Sequence, residues 1–194
     1  MDFSIIEMTD TFVYGRLGLA DTNKIMSAAK KTIAEEELMK GEVGDEGDET
    51  IDDEVRKTSV YWMTKSKKVR RKIDEFVSEF NDLKFKQQMD EGGQDYQVTI
   101  YDNPNDHYDW HQDYYDDDVD DFVRTVSLSI CLSPDTDYLG AEFFIKDGSE
   151  SNVRVFKMDY GDFIIFPSEV EHKVNALRDG ARTSLVVWYG HELE

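Results

Sequence analysis

The sequence predicts an α+β chain that is mainly β: a double-stranded β-helix, or jelly roll, flanked by N-terminal helices. Three observations carry this. Apolar residues recur at helical spacing in two stretches before residue 93. From Gln94 onward the period switches to short strands of four to nine residues cut by turns. His172 and Arg182 can share one cavity only if their strands lie in facing sheets, since a two-residue hairpin at Asp179-Gly180 would set them on opposite faces.

The elements follow in order. Asp21 to Met39 carries Ile25, Ala28, Ala29, Ile33 and Ala34 at helical spacing, with Asp21 as the expected N-cap. Glu42 to Asp53 is a glycine-interrupted acidic tract, predicted to be a loop. Lys57 to Met63 reads as a strand. Ser66 opens a second helix through Phe80, with Val69, Ile73, Phe76, Val77 and Phe80 on one stripe. Gln94 to Asp102 is β-branched and aromatic and ends in the turn Asp102-Asn103-Pro104-Asn105. Further on, Tyr160-Gly161-Asp162 is a turn, Phe163–Phe166 a buried strand and Pro167-Ser168 a break. Arg182 opens a last apolar strand. With 194 residues, 39% of them hydrophobic, the chain is expected to be one domain: residues 1–93 a helix-rich support, residues 94–190 the jelly-roll core.

Composition narrows the function classes. Forty-three acidic against 22 basic residues give a formal net charge of −21, which repels phosphate backbones and argues against a nucleic-acid partner. No apolar run approaches membrane-spanning length, and no basic-then-apolar leader stands at the start, so no membrane association is expected. One cysteine, Cys131, excludes an intramolecular disulfide; a cytoplasmic location is expected.

The chemistry concentrates in His111-Gln112-Asp113, His172 and Arg182. Two imidazoles and one carboxylate are the ligand set of the facial triad that leaves open positions on a non-heme Fe(II). Arginine adds a cationic fork that grips a carboxylate in bidentate fashion, and at the head of an apolar strand it is costly to bury without an anion. A second His-x-Asp, His107-Tyr108-Asp109, lies just upstream. On a regular strand all four side chains share a face, so spacing alone does not choose between the pairs.

The order Tyr101, Tyr108, His111-x-Asp113, His172, Arg182, with the ending Gly180-x-Arg182-x-x-x-x-x-Trp188, resembles the 2-oxoglutarate/Fe(II)-dependent dioxygenases, specifically their prolyl-4-hydroxylase-like branch. Gly140-Ala141-Glu142-Phe143 sits where many members carry a Gly-Gly-x-[FL] turn and strand. The resemblance spans roughly residues 94 to 190. It selects His111, Asp113 and His172 as metal ligands and leaves His107 and Asp109 as a decoy. It implies that Arg182 binds the distal carboxylate of 2-oxoglutarate with help from Tyr101, Tyr108 and Ser184. Relatives often place a co-substrate tyrosine on the strand after the motif, where this chain has Ser127-Leu128-Ser129-Ile130-Cys131.

What the resemblance implies is an Fe(II)- and 2-oxoglutarate-dependent dioxygenase that uses dioxygen, with ascorbate as a candidate reductant. It would hydroxylate a C–H bond and release succinate and CO2. A prolyl residue in a peptide or protein is the expected substrate, with a free amino acid or other small molecule as the alternative. Related halogenases replace the carboxylate ligand with a small residue, so Asp113 favours hydroxylation. Trp188, on the face of Arg182, and Asp116, in the acidic run 113–121, are candidate substrate contacts. That run lacks the glycine and glutamate of an EF-hand calcium loop. Two rival readings stay open: a non-catalytic, cupin-like metal-binding jelly roll, which does not explain Arg182, and an acidic interaction protein, which explains only the charge.

Overall fold

A computed structural model describes residues 1–41, 50–114, 122–148 and 152–193. The candidate residue Asp116 and most of the two acidic tracts lie outside them. In chain order the elements are β1 (Phe3–Met8), β2 (Val13–Leu17), α1 (Leu19–Glu35), β3 (Met39–Lys40), β4 (Arg56–Lys57), β5 (Ser59–Trp62) and α2 (Lys67–Phe80). A π-helical turn, Asn81–Phe85, follows α2. Then come β6 (Tyr96–Tyr101), β7 (His107–His111), β8 (Phe122–Cys131), β9 (Tyr138–Gly140), β10 (Phe143–Lys146), β11 (Val153–Phe156), β12 (Asp162–Pro167), β13 (His172–Val174), β14 (Leu177–Gly180) and β15 (Arg182–Glu192).

The strands form a large sheet ordered β1-β2-β12-β8-β15-β6-β5-β3 and a smaller one ordered β11-β10-β13-β7-β4. β14 and β9 form a separate two-stranded piece. This is the expected mainly β jelly roll with helices on one side. The central strands alternate between two cores. In β12, Phe163 and Ile165 face the helices, while Ile164 and Phe166 face the space between the sheets. Burial on both faces is why this run is continuously apolar. α1 and α2 cover the large sheet through Ile25, Ala28, Ala29, Ile73, Phe76, Val77 and Phe80. No helix among the described residues is long and apolar enough to cross a membrane.

Several local expectations are revised. α1 starts at Leu19, with Gly18 as N-cap. Asp21 cannot cap because its carboxylate already accepts from the Asp2 N–H and the Lys24 ammonium. It still lies in the first helical turn, where a negative charge suits the helix dipole. The helix ends at Glu35, and Met39–Lys40 joins the large sheet through Met39↔Val60.

The region before residue 93 does more than supply helices: β1, β2, β3 and β5 extend the large sheet, and β4 edges the small one. The apparent strand from Lys57 to Met63 is two strands in different sheets. β4 pairs with β7, and two residues later β5 pairs with β6. Arg56 therefore stands where the chain crosses from the small sheet to the large one.

Candidate metal centre

β7 and β13 are neighbours in the small sheet, and His111 lies directly opposite His172. Between His172 and Val174 the register shifts, so that Val174 faces Tyr108, three residues from His111 rather than two. This bulge corrects the one-face expectation for His107, Asp109, His111 and Asp113. Residues 172 and 174 share a face, so Tyr108 and His111 must share one too. A bulge re-aims side chains in this way and is common beside active sites. His107 is turned elsewhere: its ring contacts the backbone carbonyls of Asn105 and Glu54. Asp109 is exposed. The upstream pair is excluded from the cluster by geometry.

Each of the two inward histidines is oriented by its own strand. His111 Nδ1 lies 2.7 Å from the carbonyl of Asp109, and His172 Nδ1 lies 3.0 Å from the carbonyl of Val170. A carbonyl only accepts, so both Nδ1 atoms carry hydrogen and both Nε2 atoms offer a lone pair. Those Nε2 atoms approach the two oxygens of Asp113, at 3.7 Å from Oδ1 for His111 and 3.5 Å from Oδ2 for His172. Asp113 is held in place by its backbone N–H, which donates to the Ser168 carbonyl at 2.9 Å. One donor atom from each residue falls within 4.8 Å of the others.

The electrostatics fit a cation. Asp113 is 5% exposed, and its Oδ2 has no hydrogen-bond partner among the described residues. A buried carboxylate oxygen left this way is costly without a positive partner. Burial pushes the Asp113 carboxyl up, but the two facing imidazoles outweigh it and hold it below the usual carboxylate range. Burial, followed by the facing His172 imidazole, pushes His111 down to about 3, so its imidazole is neutral at neutral pH. Neutral imidazole is the form that binds metals.

The cluster opens on a cavity between the sheets, which Arg182, Tyr101, Tyr108, Ser184 and Trp188 also line. All eight candidate residues that lie among the described residues, Trp188 included, thus line one space. His172 comes from the small sheet and Arg182 from the large one, as the sequence requires. The connection is not a simple hairpin, because β14 pairs with β9.

Arg182 is 1% exposed. Its Nη2 contacts the Met158 sulfur at 3.6 Å, its guanidinium stands 5.6 Å from the Tyr101 ring centre, and its Nε has no partner. Among the described residues no carboxylate forms an ion pair with it. A buried guanidinium without a counter-charge among the described residues is unfavourable on its own, and an anion in the cavity would offset it. Burial raises the Tyr101 phenol and keeps it protonated, a potential donor. Ser184 lies opposite Thr99 and Cys131 on the face of Arg182. The Trp188 indole Nε1 is buried with no partner, and the Arg124 guanidinium covers its ring at 4.4 Å.

Four lining or adjoining residues escaped the sequence reading. Gln97 and Thr99 follow from Tyr101 by strand alternation, which is the signal that could have found them. Tyr138 stands against the Arg182 guanidinium from β9, where nothing in the local sequence marks it. Arg56 lines the cavity from β4, with no motif around it.

Residues 96–190 match the family model described as the 2OG-Fe(II) oxygenase superfamily. A PKHD-type hydroxylase of Idiomarina loihiensis is 36% identical over 67 residues, covering 34% of this chain and 30% of that protein. The match therefore spans less than a third of that relative's length. The fold is similar to that of a Pseudomonas putida prolyl-4-hydroxylase, with a TM-score of 0.73, 17% identity and 94% of each chain covered. It is also similar to a Trichoplax adhaerens prolyl hydroxylase solved with a hypoxia inducible factor oxygen degradation domain peptide. There the TM-score is 0.77 at 17% identity, covering 94% of this chain and 84% of that one. Through residues 96–190 the chain belongs to the 2OG-Fe(II) oxygenase superfamily, and its fold is prolyl-4-hydroxylase-like.

Proposed function

We propose that this protein is an Fe(II)- and 2-oxoglutarate-dependent dioxygenase that hydroxylates a C–H bond of a prolyl residue in a peptide or protein. The observation that carries this reading is one cavity holding two complementary deficits. Among the described residues Asp113 has a buried carboxylate oxygen without a donor, and Arg182 a buried guanidinium without an acid. A cation answers the first and a dicarboxylate the second. A metal-binding jelly roll without oxygenase activity accounts for the first deficit only.

In this reading His111 Nε2, His172 Nε2 and the Asp113 carboxylate would hold the iron. Bound there, ferrous iron supplies the oxidative chemistry that couples decarboxylation of 2-oxoglutarate to succinate and CO2 with hydroxylation of the substrate. The protein supplies order and dryness. Arg182 fixes the distal carboxylate as a bidentate fork, and the Tyr101 and Ser184 hydroxyls stand ready to donate to the same group. Phe143, Phe166 and Val174 line the cavity with apolar surface that excludes water. Trp188 Nε1 offers a donor on the substrate side. The peptide in the Trichoplax neighbour supports a peptide substrate. A reducing, cytoplasmic setting suits the free thiol of Cys131.

The test is an anaerobic-to-aerobic turnover assay with Fe(II), 2-oxoglutarate and panels of proline-containing peptides, free amino acids and other small molecules. Succinate formation with a +16 Da peptide product supports the proposal. Succinate formed only with free amino acids moves the substrate class, and no succinate with any panel contradicts the oxygenase reading.

A further inference from the structure

We propose that Arg56 is a positioning residue for the metal centre, holding Tyr108 flat against His111 and so fixing the imidazole that would ligate the ion. The inference rests on the reading of His111, Asp113 and His172 as metal ligands. It concerns a residue outside the stretch that matches the family model.

The Tyr108 and His111 rings lie parallel, with centroids 3.4 Å apart and planes inclined by 11°. Tyr108 is directly opposite Arg56 across the β4–β7 ladder, and the Arg56 guanidinium carbon lies 4.6 Å from the phenol ring centre. Arg56 is itself anchored. Its Nη2 donates to Gln97 Oε1 at 2.6 Å and its Nε to Thr58 Oγ1 at 3.1 Å. Gln97 is fixed in turn, since Thr99 Oγ1 donates to the same oxygen at 2.9 Å. With 7% exposure, Arg56 is locked by its surroundings rather than free to sample rotamers.

The chain of contacts thus runs from β6 of the large sheet, through Gln97 and Arg56, to Tyr108 and His111 of the small sheet. A hydrogen bond from Nδ1 constrains how the His111 ring points, but a single bond leaves the ring free to rock about it. A flat aromatic neighbour removes that motion, and a cation against the phenol face keeps the neighbour in place. His172 is confined in the same manner by Phe143, stacked at 5.6 Å, and by Phe166 at 4.6 Å. Those two rings belong to the packed core, whereas Tyr108 lies against the guanidinium at the sheet edge. Groups that orient metal ligands from behind change metal affinity by about 10- to 100-fold when removed. For Arg56, one layer further back, about tenfold is expected.

The experiment is Co(II) titration of the metal-free protein, read by ligand-field absorbance, with Arg56→Ala, Arg56→Met, Arg56→Lys, Tyr108→Ala and the Arg56→Ala/Tyr108→Ala pair. Arg56→Ala and Tyr108→Ala should each weaken Co(II) binding about tenfold and alter the absorbance spectrum. The pair should lose no more than either alone, because the two act through one contact. Arg56→Lys should fall between, since it keeps the charge but not the planar fork. Arg56→Met retains the aliphatic stem and serves if the alanine variant does not fold; it should match the alanine prediction. Lower thermal stability with unchanged Co(II) affinity and spectrum in Arg56→Met would overturn the proposal, as would additive losses in the pair. Should the wild-type protein bind Co(II) no better than His111→Ala, the metal-site reading itself fails and this inference with it.

Discussion

His111 and His172 face one another across the β7–β13 ladder, and each makes the same contact, Nδ1 to the carbonyl two residues earlier. The symmetry turns both Nε2 atoms toward the carboxylate of Asp113. Two histidines buried only for packing would have no reason to present their lone pairs to one point.

Replacing His111 with Ala removes one of these lone pairs. Tight Co(II) or Fe(II) binding and all succinate formation should be lost, while circular dichroism stays native. A variant retaining wild-type metal affinity would show that the cluster is not the metal site.

The same histidine gives the metal-free protein a pH dependence with a defined sign. His111 is held neutral down to about pH 3 when folded, but takes up a proton near its ordinary value of 6.5 when unfolded. Between these values the unfolded chain binds more protons, so stability is full above about pH 6.5 and falls as the pH drops toward 3. The slope from this group approaches at most about 1.4 kcal/mol per pH unit. Denaturant titrations of the wild type and His111→Gln between neutral pH and pH 5 check it. The variant should show the shallower decline.

Arg182→Ala should separate the two halves of the cavity. Metal affinity should stay within about threefold of wild type, whereas 2-oxoglutarate affinity should fall by roughly 30-fold or more, a loss of about 2 kcal/mol or above for a charge pair. Thermal shift with Mn(II) present reads it directly: 2-oxoglutarate at 100 times its Kd stabilises by about 2.7 kcal/mol, and at that same concentration the variant should show little shift. An equal shift in both proteins would remove Arg182 from the co-substrate site.

Gly140 and Ala141 test the turn that delivers β10. Both adopt positive φ, 83° and 50°. A Cβ at Gly140 would stand 2.3 Å from the Ala176 carbonyl oxygen, so Gly140→Ala should destabilise by more than about 1 kcal/mol. Ala141 pays a left-handed penalty that glycine avoids, and Ala141→Gly should leave stability unchanged or raise it by up to about 1 kcal/mol. Chemical denaturation of both variants decides the matter; a Gly140→Ala variant as stable as wild type, or a clearly destabilised Ala141→Gly variant, would contradict the turn geometry.

Sequence legibility followed the range of the interaction. That His111, Asp113, His172 and Arg182 meet in one cavity was readable because their combination is rare and the intervening turns and apolar runs marked which sheet each strand could join. Helix α2 was readable because one stripe of its surface is buried. What depended on pairing was not. The bulge that separates His111 from the decoy His107 exists only against β13, and no residue in the run His107–His111 announces it. The sheet change after Lys57 looked like one continuous strand, since both halves are equally suited to pairing. Arg56 reaches the cavity by an interaction with Gln97, forty-one positions along the chain, and such a contact has no local signature. Asp21 has the composition of an N-cap but is claimed by Asp2 and Lys24.

The most direct measurement is a crystal structure of the protein soaked with Mn(II) and 2-oxoglutarate, with the ion located by its anomalous signal. The ion should sit among His111 Nε2, His172 Nε2 and the Asp113 carboxylate, with one carboxylate of 2-oxoglutarate paired to Arg182. An ion bound elsewhere, or 2-oxoglutarate lying away from Arg182, would contradict the account.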